Sequence, residues 1–331
     1  MLIGWAARLI EECALGPYKQ VQMLQQFDEK NRDILINING KLVHRDEARI
    51  SPFDSAVQGG DAVWEGLRLY NGKIFKLHEH LDRLRRSAHA LAFEQIPTSE
   101  QLIDQIKRTL AANNMVDGVH IRLTLTRGIK ITSGMDPRLN QSGPTLIVLA
   151  EHKLPVYGSD GISLITSSVR RPSPDCMDPK IHHCNLIQSI LAKIEANLVG
   201  ADDALMLDPH GFVAETNATH VFIVDGGQVL TPRVVACPEG ITRATVLQIC
   251  SENGIAAFER DMSLTQIYNA EEMFCSGTMG ELVPVIKVDG RKIGGGSAGA
   301  LTRRLAKWYA ELARTAGIAV CEQQPESKVG S

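Results

Sequence analysis

The segment Gly211-Phe212-Val213-Ala214-Glu215-Thr216-Asn217-Ala218-Thr219-His220-Val221-Phe222 sets an acid among small polar residues between two strand-like runs. By composition alone it is compatible with an ordinary turn. Downstream, Pro238-Glu239-Gly240-Ile241-Thr242-Arg243 precedes a helical pattern. Free backbone N–H groups and the positive end of a helix dipole then point at whatever lies before Thr242, which suits a phosphate but occurs at many helix starts. Another small-residue turn, Ser276-Gly277-Thr278-Met279-Gly280-Glu281, follows a short strand and offers hydroxyl and backbone donors. Upstream, Asp178-Pro179-Lys180-Ile181-His182-His183-Cys184-Asn185 follows a proline-rich loop and precedes an apolar-periodic helix (Leu186, Ile187, Ile190, Leu191, Ile194, Leu198). Lys180 reads as a solvated cation unless burial strips water from its ammonium. That would lower its pKa and make it a nucleophile towards aldehydes.

Around these segments the second half alternates strands (162 to 169, 204 to 208, 219 to 224, 273 to 275, 282 to 287) with helices (186 to 198, 241 to 253, 297 to 316). The first half opens with two hairpins. Ile34, Ile36 and Ile38 alternate before Asn39-Gly40, and Ala62 to Tyr70 runs into Asn71-Gly72 and a returning strand from Lys73 to Leu77. Helical spacing follows at Leu81, Leu84, Ala88 and Leu91, and again at Leu102 to Leu110 behind a Thr98-x-x-Gln101 capping box. Strands are expected over 119 to 126 and 145 to 150. The reading divides the chain into a helical extension (1–30), a small α/β domain (31–150), a linker (151–158), a large domain (159–321) and a polar tail (322–331). No internal repeat is visible.

With 331 residues, 44% hydrophobic and 22% charged, the chain has a globular composition that excludes a disordered tail or a fibre. A formal charge of -3 gives no global positive field to draw it onto nucleic acid or anionic lipid. Small molecules and copies of itself are the expected partners. Seven scattered cysteines without a C-x-x-C fit free thiols in a reducing compartment. No apolar run approaches the roughly 20 residues of a membrane span, and Glu11-Glu12 comes too early for a signal peptide. A cytoplasmic location is expected. Adjacent imidazoles at His182 and His183 point to different sides of a strand and no third ligand is placed, so no metal site is expected.

Taken in order, the basic stretch before a helix, E-T-N-A, G-I-T-R and S-G-T resemble the class IV aminotransferases, pyridoxal-phosphate (PLP) enzymes of fold type IV, from about Asp33 to Ala316. Ser51-Pro52-Phe53-Asp54, Trp64-Glu65-Gly66-Leu67-Arg68 and His80-Leu81-Asp82-Arg83-Leu84 look like the family's opening segment, its F-E-G-I-R stretch and its H-x-x-R-L helix. The resemblance implies an α+β chain of two α/β domains with the cofactor between them and a homodimer whose neighbouring small domain closes the substrate pocket. It implies a transaminase, most like the branched-chain enzymes, that uses pyridoxal 5′-phosphate and passes an amino group from an amino acid to 2-oxoglutarate. Alternatives within the family are D-amino acid or R-selective amine transamination and an aminodeoxychorismate lyase-type reaction.

Carried over residue by residue, the resemblance implies that Glu215 faces the pyridine nitrogen, Arg83 pairs with the phosphate, Ile241 and Thr242 bind it at the helix start and Thr278 completes the phosphate cup. Trp64, Arg68, Arg122, Arg127 and Met279 fall on the substrate side. Arg122 lies in His120-Ile121-Arg122, where the branched-chain enzymes have Y-x-R, and Arg127 lies in a T-R-G like that of the D-amino acid enzymes. The family's D-P-x-I-K-x-x-N puts the Schiff-base lysine three residues before the asparagine. Here that slot holds His182, and Lys180 stands two residues earlier, roughly 7 Å along an extended chain. Either Lys180 serves as that lysine, or the chain binds the cofactor without one and is inactive. Tyrosines of the pattern are also replaced, by Gly59, His120 and Leu186.

Overall fold

The computed structural model describes residues 25–321 except 156 and 159. The expected extension lies outside the described residues up to position 24, as does the tail from 322. Among the described residues the chain forms two sheets. The first contains β1 (Leu35–Ile38), β2 (Lys41–His44), β3 (Ala62–Tyr70), β4 (Lys73–Ile74), β5 (Val119–Thr126) and β6 (Thr145–His152). The second contains β7 (Ile162–Thr166), β8 (Asp203–Leu207), β9 (Val213–Thr216), β10 (His220–Asp225), β11 (Gln228–Thr231), β12 (Ala257–Glu259), β13 (Glu272–Gly277), β14 (Glu281–Val288) and β15 (Arg291–Lys292). The last strand, β16 (Ile318–Ala319), returns to the first sheet, pairing Ile318 with Ile74.

Turn chemistry explains the hairpins. Asn39 and Gly40 take φ 50° and 81°, and Asn71 and Gly72 take 47° and 75°, the positive pair that a two-residue turn matched to strand twist demands. The strand expected over Lys73 to Leu77 is corrected: pairing stops at Ile74, Lys76 adopts φ 54°, and α2 (Leu77–Ala90) begins at once. It follows a short α1 (Ser55–Gly59) capped by Asp54. α2 and α3 (Ser99–Ala112), the latter with the expected Thr98–Gln101 capping box, cover one face of the first sheet. Leu77, Leu81, Leu84, Leu102, Ile106 and Leu110 are fully buried there against Leu67, Leu69, Ile121 and Leu123. That burial, roughly 25 cal/mol per Å² of apolar surface, drives this half of the fold.

In the second half α4 (Ile187–Leu198) lies on β8, α6 (Leu264–Tyr268) adds to the apolar cluster around β7 and β14, and α5 (Ile241–Glu252) packs with α7 (Ala300–Thr315). Tyr70 and Phe75 of the first sheet's hairpin enter the α5–α7 cluster. Arg68 Nη1 donates to the Met279 carbonyl at 2.7 Å, and Tyr70 Oη bonds Glu281 at 3.1 Å. These contacts hold the two sheets against one another beside the loops that carry the candidate site. The six cysteines in the described residues are free. Among the described residues, no helix is long and apolar enough to cross a membrane, and no metal-binding group of three or more His, Cys, Asp or Glu residues forms.

Candidate active site

The upper end of β3 has an unpaired edge beyond the short β4, and residues 182–184 fill it. Trp64 N–H donates to the His182 carbonyl at 3.0 Å, Cys184 N–H to the Ala62 carbonyl at 2.8 Å, and the Trp64 indole to the His183 carbonyl at 3.1 Å. His182 N–H donates to Ser87 Oγ of α2 at 3.0 Å. The backbone register of this segment is therefore fixed, and the His182 ring stacks on Trp64 with centroids 4.5 Å apart. Lys180 is not brought in. Its N–H bonds the Asp178 carboxylate in a tight turn at 2.9 Å, and its side chain is exposed without a partner among the described residues.

Beneath His182 is a buried charge network. Glu65, fully buried, accepts from Arg83 Nε at 2.7 Å, from Arg83 Nη2 at 2.8 Å and from His80 Nδ1 at 2.6 Å. Burial pushes its carboxyl up, but the Nδ1–H of His182 and the Arg83 guanidinium beside it prevail and hold it well below the usual carboxylate range. Arg83 Nη1 also donates to the Glu239 carbonyl at 2.6 Å, just before α5. A guanidinium has five N–H groups. Three are engaged here, so two remain for a ligand.

On the second sheet Glu215 is buried on β9 and forms an ion pair with Arg171. Burial raises its carboxyl to about 7, with Arg171 and, more weakly, Arg83 pulling the other way. His220 opens β10 with Nδ1 3.8 Å from Glu215 Oε2. Its burial, helped by Arg243, Arg83 and Arg171, lowers it to about 3, so the ring is neutral. Its far edge abuts Gly240, the residue that starts α5 without a side-chain cap. Opposite His220 in the sheet register stands Ser276, whose buried Oγ has no partner among the described residues. Thr242 is buried, 3.4 Å from the Tyr309 hydroxyl, while Ile241, Thr278 and Met279 are partly exposed.

Arg122 lies 3.9 Å over the Trp64 ring, with Cys184 beside it. Arg127 is engaged elsewhere: it bonds Asp61 at 2.6 and 3.2 Å and the carbonyls of Leu91 and Ala92 at 2.7 and 3.1 Å. Arg68 braces the Met279 loop. The structure thus joins Trp64, Arg83, Arg122, His182, Glu215, Ile241 and Thr242 around one region and leaves Lys180 and Arg127 aside. A cleft beside His182 is lined by Arg171, Pro179, His182, His183, Leu186 and Pro238. Sequence reading assigned no role to Arg171, Glu65, His80 or His220, and took Ser276 only as part of a turn that offers hydroxyl donors. Arg171 ends the strand-like run before the proline loop, but nothing local announces its partner on β9.

The donor set suits a phosphorylated pyridine at two ends and not at a third. Two free guanidinium protons, an uncapped helix start and the unpartnered Ser276 hydroxyl suit a phosphate. The Glu215 carboxylate suits a protonated ring nitrogen. In the slot where the family pattern has its lysine stands His182, and an imidazole cannot form the imine.

A family model described as amino-transferase class IV matches residues 62–288. The "branched-chain-amino-acid aminotransferase-like protein 2" of Arabidopsis thaliana is 53% identical over 292 residues, 88% of this chain and 52% of that protein. The branched-chain-amino-acid aminotransferase of Pseudomonas aeruginosa is 35% identical over 301 residues, 85% of this chain and 94% of that one. The crystal structure of the T.th. branched-chain amino acid aminotransferase complexed with N-(5′-phosphopyridoxyl)-L-glutamate matches with a TM-score of 0.80 at 33% identity, covering 89% of this chain and 96% of that one. The chain belongs to the class IV aminotransferase family and has the two-domain α+β architecture of fold type IV. Its relatives named above are of the branched-chain kind. It spans about half the length of the Arabidopsis relatives it matches, 52% and 53%.

Proposed function

We propose that this chain is an aminotransferase that exchanges amino groups between amino acids, branched-chain and aliphatic ones first, and 2-oxo acids such as 2-oxoglutarate, with pyridoxal 5′-phosphate as cofactor. The observation that carries this reading is the convergence of Arg83, Glu215 and the uncapped start of α5. Arg83 bridges to the residue before α5, and its charge reaches Glu215. When bound, the cofactor supplies an electron-accepting ring that stabilises negative charge at the substrate carbon.

The residues here would divide the work around it. Arg83 and the Ile241–Thr242 amides would orient the phosphate, with Ser276 and Thr278 hydroxyls closing the cup. Glu215 would hold the proton on the ring nitrogen, and Arg171 keeps that carboxylate in place. Arg122, stacked over Trp64, would meet a substrate carboxylate. The working unit is proposed to be a homodimer, supported by the apolar stripe on α4 treated below.

Amino transfer to 2-oxoglutarate from a panel of L- and D-amino acids and R-amines tests the reading. Turnover with L-leucine, L-isoleucine or L-valine is expected, and activity confined to D-amino acids or amines would replace it. One observation favours a second reading: His182 in the lysine slot fits a protein that binds the cofactor and turns nothing over. In that case cofactor binding persists with every donor inert.

A further inference from the structure

His182 is anchored too firmly for its place to be taken by a neighbouring residue. Its backbone is held by Trp64 and Ser87. Its ring lies on Trp64, and its Nδ1 is 2.5 Å from the Trp64 carbonyl and 3.4 Å from Glu65 Oε1. A carbonyl only accepts, so Nδ1 carries the ring proton and, in the neutral ring, Nε2 is a lone-pair acceptor. Burial lowers the His182 pKa, and Arg83 adds to this against the opposing pull of Glu65, so the neutral ring is the form present near pH 7. Nε2 has no partner among the described residues, and His182 lines the cleft together with Arg171, the partner of Glu215. Leu186, in the same lining, replaces a tyrosine of the family pattern and offers no hydroxyl.

A ligand carbon facing Nε2 meets an acceptor and not a nucleophilic amine. An aldehyde oxygen also only accepts and pairs poorly with it, while an aminomethyl group donates an N–H and pairs well. Lys180 cannot reverse this by slipping along the chain. Two residues of an extended strand are about 7 Å, and the hydrogen bonds from 182 to 184 forbid the shift.

We propose that this chain binds vitamin B6 phosphate without a covalent bond and selects the amine form, pyridoxamine 5′-phosphate, over the aldehyde form through an N–H···Nε2 hydrogen bond to His182. This rests on the cofactor reading above and goes further, because it fixes which form the resting protein holds and denies it a lysine adduct.

The full chain is titrated separately with pyridoxamine 5′-phosphate and pyridoxal 5′-phosphate by calorimetry. The aldehyde-loaded sample is also reduced with borohydride, denatured and weighed by intact mass. The amine form is expected to bind about tenfold or more tightly, the size of one net hydrogen bond at about 1.4 kcal/mol, and reduction is expected to leave no stoichiometric adduct. His182→Ala should bring the two affinities together. His182→Lys should reverse the order, since its amine can condense with the aldehyde carbon, releasing water, and reduction should then fix one cofactor at position 182. Equal affinities in the parent, or a stoichiometric adduct mapped to Lys180 or another lysine, would overturn the inference and leave the cofactor reading standing. If neither form binds the parent but His182→Lys binds the aldehyde, the inference falls alone. If nothing binds either protein, both fall.

Discussion

Glu215 carries a cost in the ligand-free protein that a protonated ring nitrogen would offset. Its carboxyl is raised to about 7 by burial, against the counter-pull of Arg171. Above the ordinary carboxylate range the unfolded chain has already released this proton while the folded chain still holds it. Stability therefore falls as pH rises from about 4.5 towards about 7, each unit of the shift being worth about 1.4 kcal/mol. Glu215→Gln keeps the shape and removes the titration. The thermal midpoint of the ligand-free parent is thus expected to drop relative to the variant between pH 5 and pH 8, and parallel curves would show that Glu215 titrates normally. In the presence of cofactor the order inverts, because the variant loses the charge that holds the ring proton: any amino transfer should slow by two or more orders of magnitude, about 2.7 kcal/mol of barrier. Glu65 presents the opposite case, a buried carboxylate kept ionised by the Nδ1–H of His182 and the Arg83 guanidinium, and losing the Arg83 half of that ion pair commonly costs about 3 to 5 kcal/mol.

The start of α5 depends on a residue without a side chain. Gly240 has an ordinary extended backbone, φ -71° and ψ 121°, so its need for glycine is steric. A Cβ there would sit 2.2 Å from His220 Cδ2 and 2.3 Å from Nε2, and the imidazole is hemmed in by Glu215 behind it. Gly240→Ala is expected to cost about 1 to 3 kcal/mol of stability and to weaken inorganic phosphate or cofactor binding by moving the helix start. Adding His220→Ala should recover part of both losses, and strictly additive effects in that double-mutant cycle would show that the two residues do not press on one another. The same contrast explains what was readable in advance. The Asn-Gly turns, the Thr98 capping box and the period of α4 and α5 are written within a few residues of themselves, and so were legible. The pairing of 182–184 with β3, the Arg171–Glu215 ion pair and the return of β16 to the first sheet join residues far apart in the chain, and no local pattern encodes them. The Lys73 to Leu77 stretch misleads because its apolar alternation suits a strand, yet Phe75 is drawn into the α5–α7 cluster and Lys76 turns the chain into a helix. Within the site, Glu215, Arg83 and Thr242 were legible through motifs. His182 stood out only as a departure from the family pattern, and the structure adds the hydrogen bonds that fix its backbone.

Among the described residues, nothing covers the apolar face of the helix that follows His182. Ile187, Ile190, Leu191, Ile194 and Leu198 form one stripe on α4 and are 54, 53, 46, 47 and 73% exposed, while Ala192 and Ala196 on the other face are buried against β8. Spacings of three and four residues put all five on one side of a helix, and a contiguous patch of this kind is unfavourable in water unless another surface covers it. A second copy of the chain is the occupant that the homodimer proposal supplies, and pairing two such stripes across a two-fold axis satisfies both at once. The consequence reaches the site, since Leu186 and Ser189 at the start of this helix line the cleft, so a partner seated on α4 would stand at its rim. Ile190→Lys with Ile194→Lys puts like charges against each other across that axis without touching a buried residue. Sedimentation at micromolar concentration should show the parent as a dimer and the variant as a folded monomer with unchanged circular dichroism, and cofactor affinity should fall about tenfold if the partner closes the cleft. A parent that stays monomeric, or a variant that stays dimeric, would move the interface away from α4.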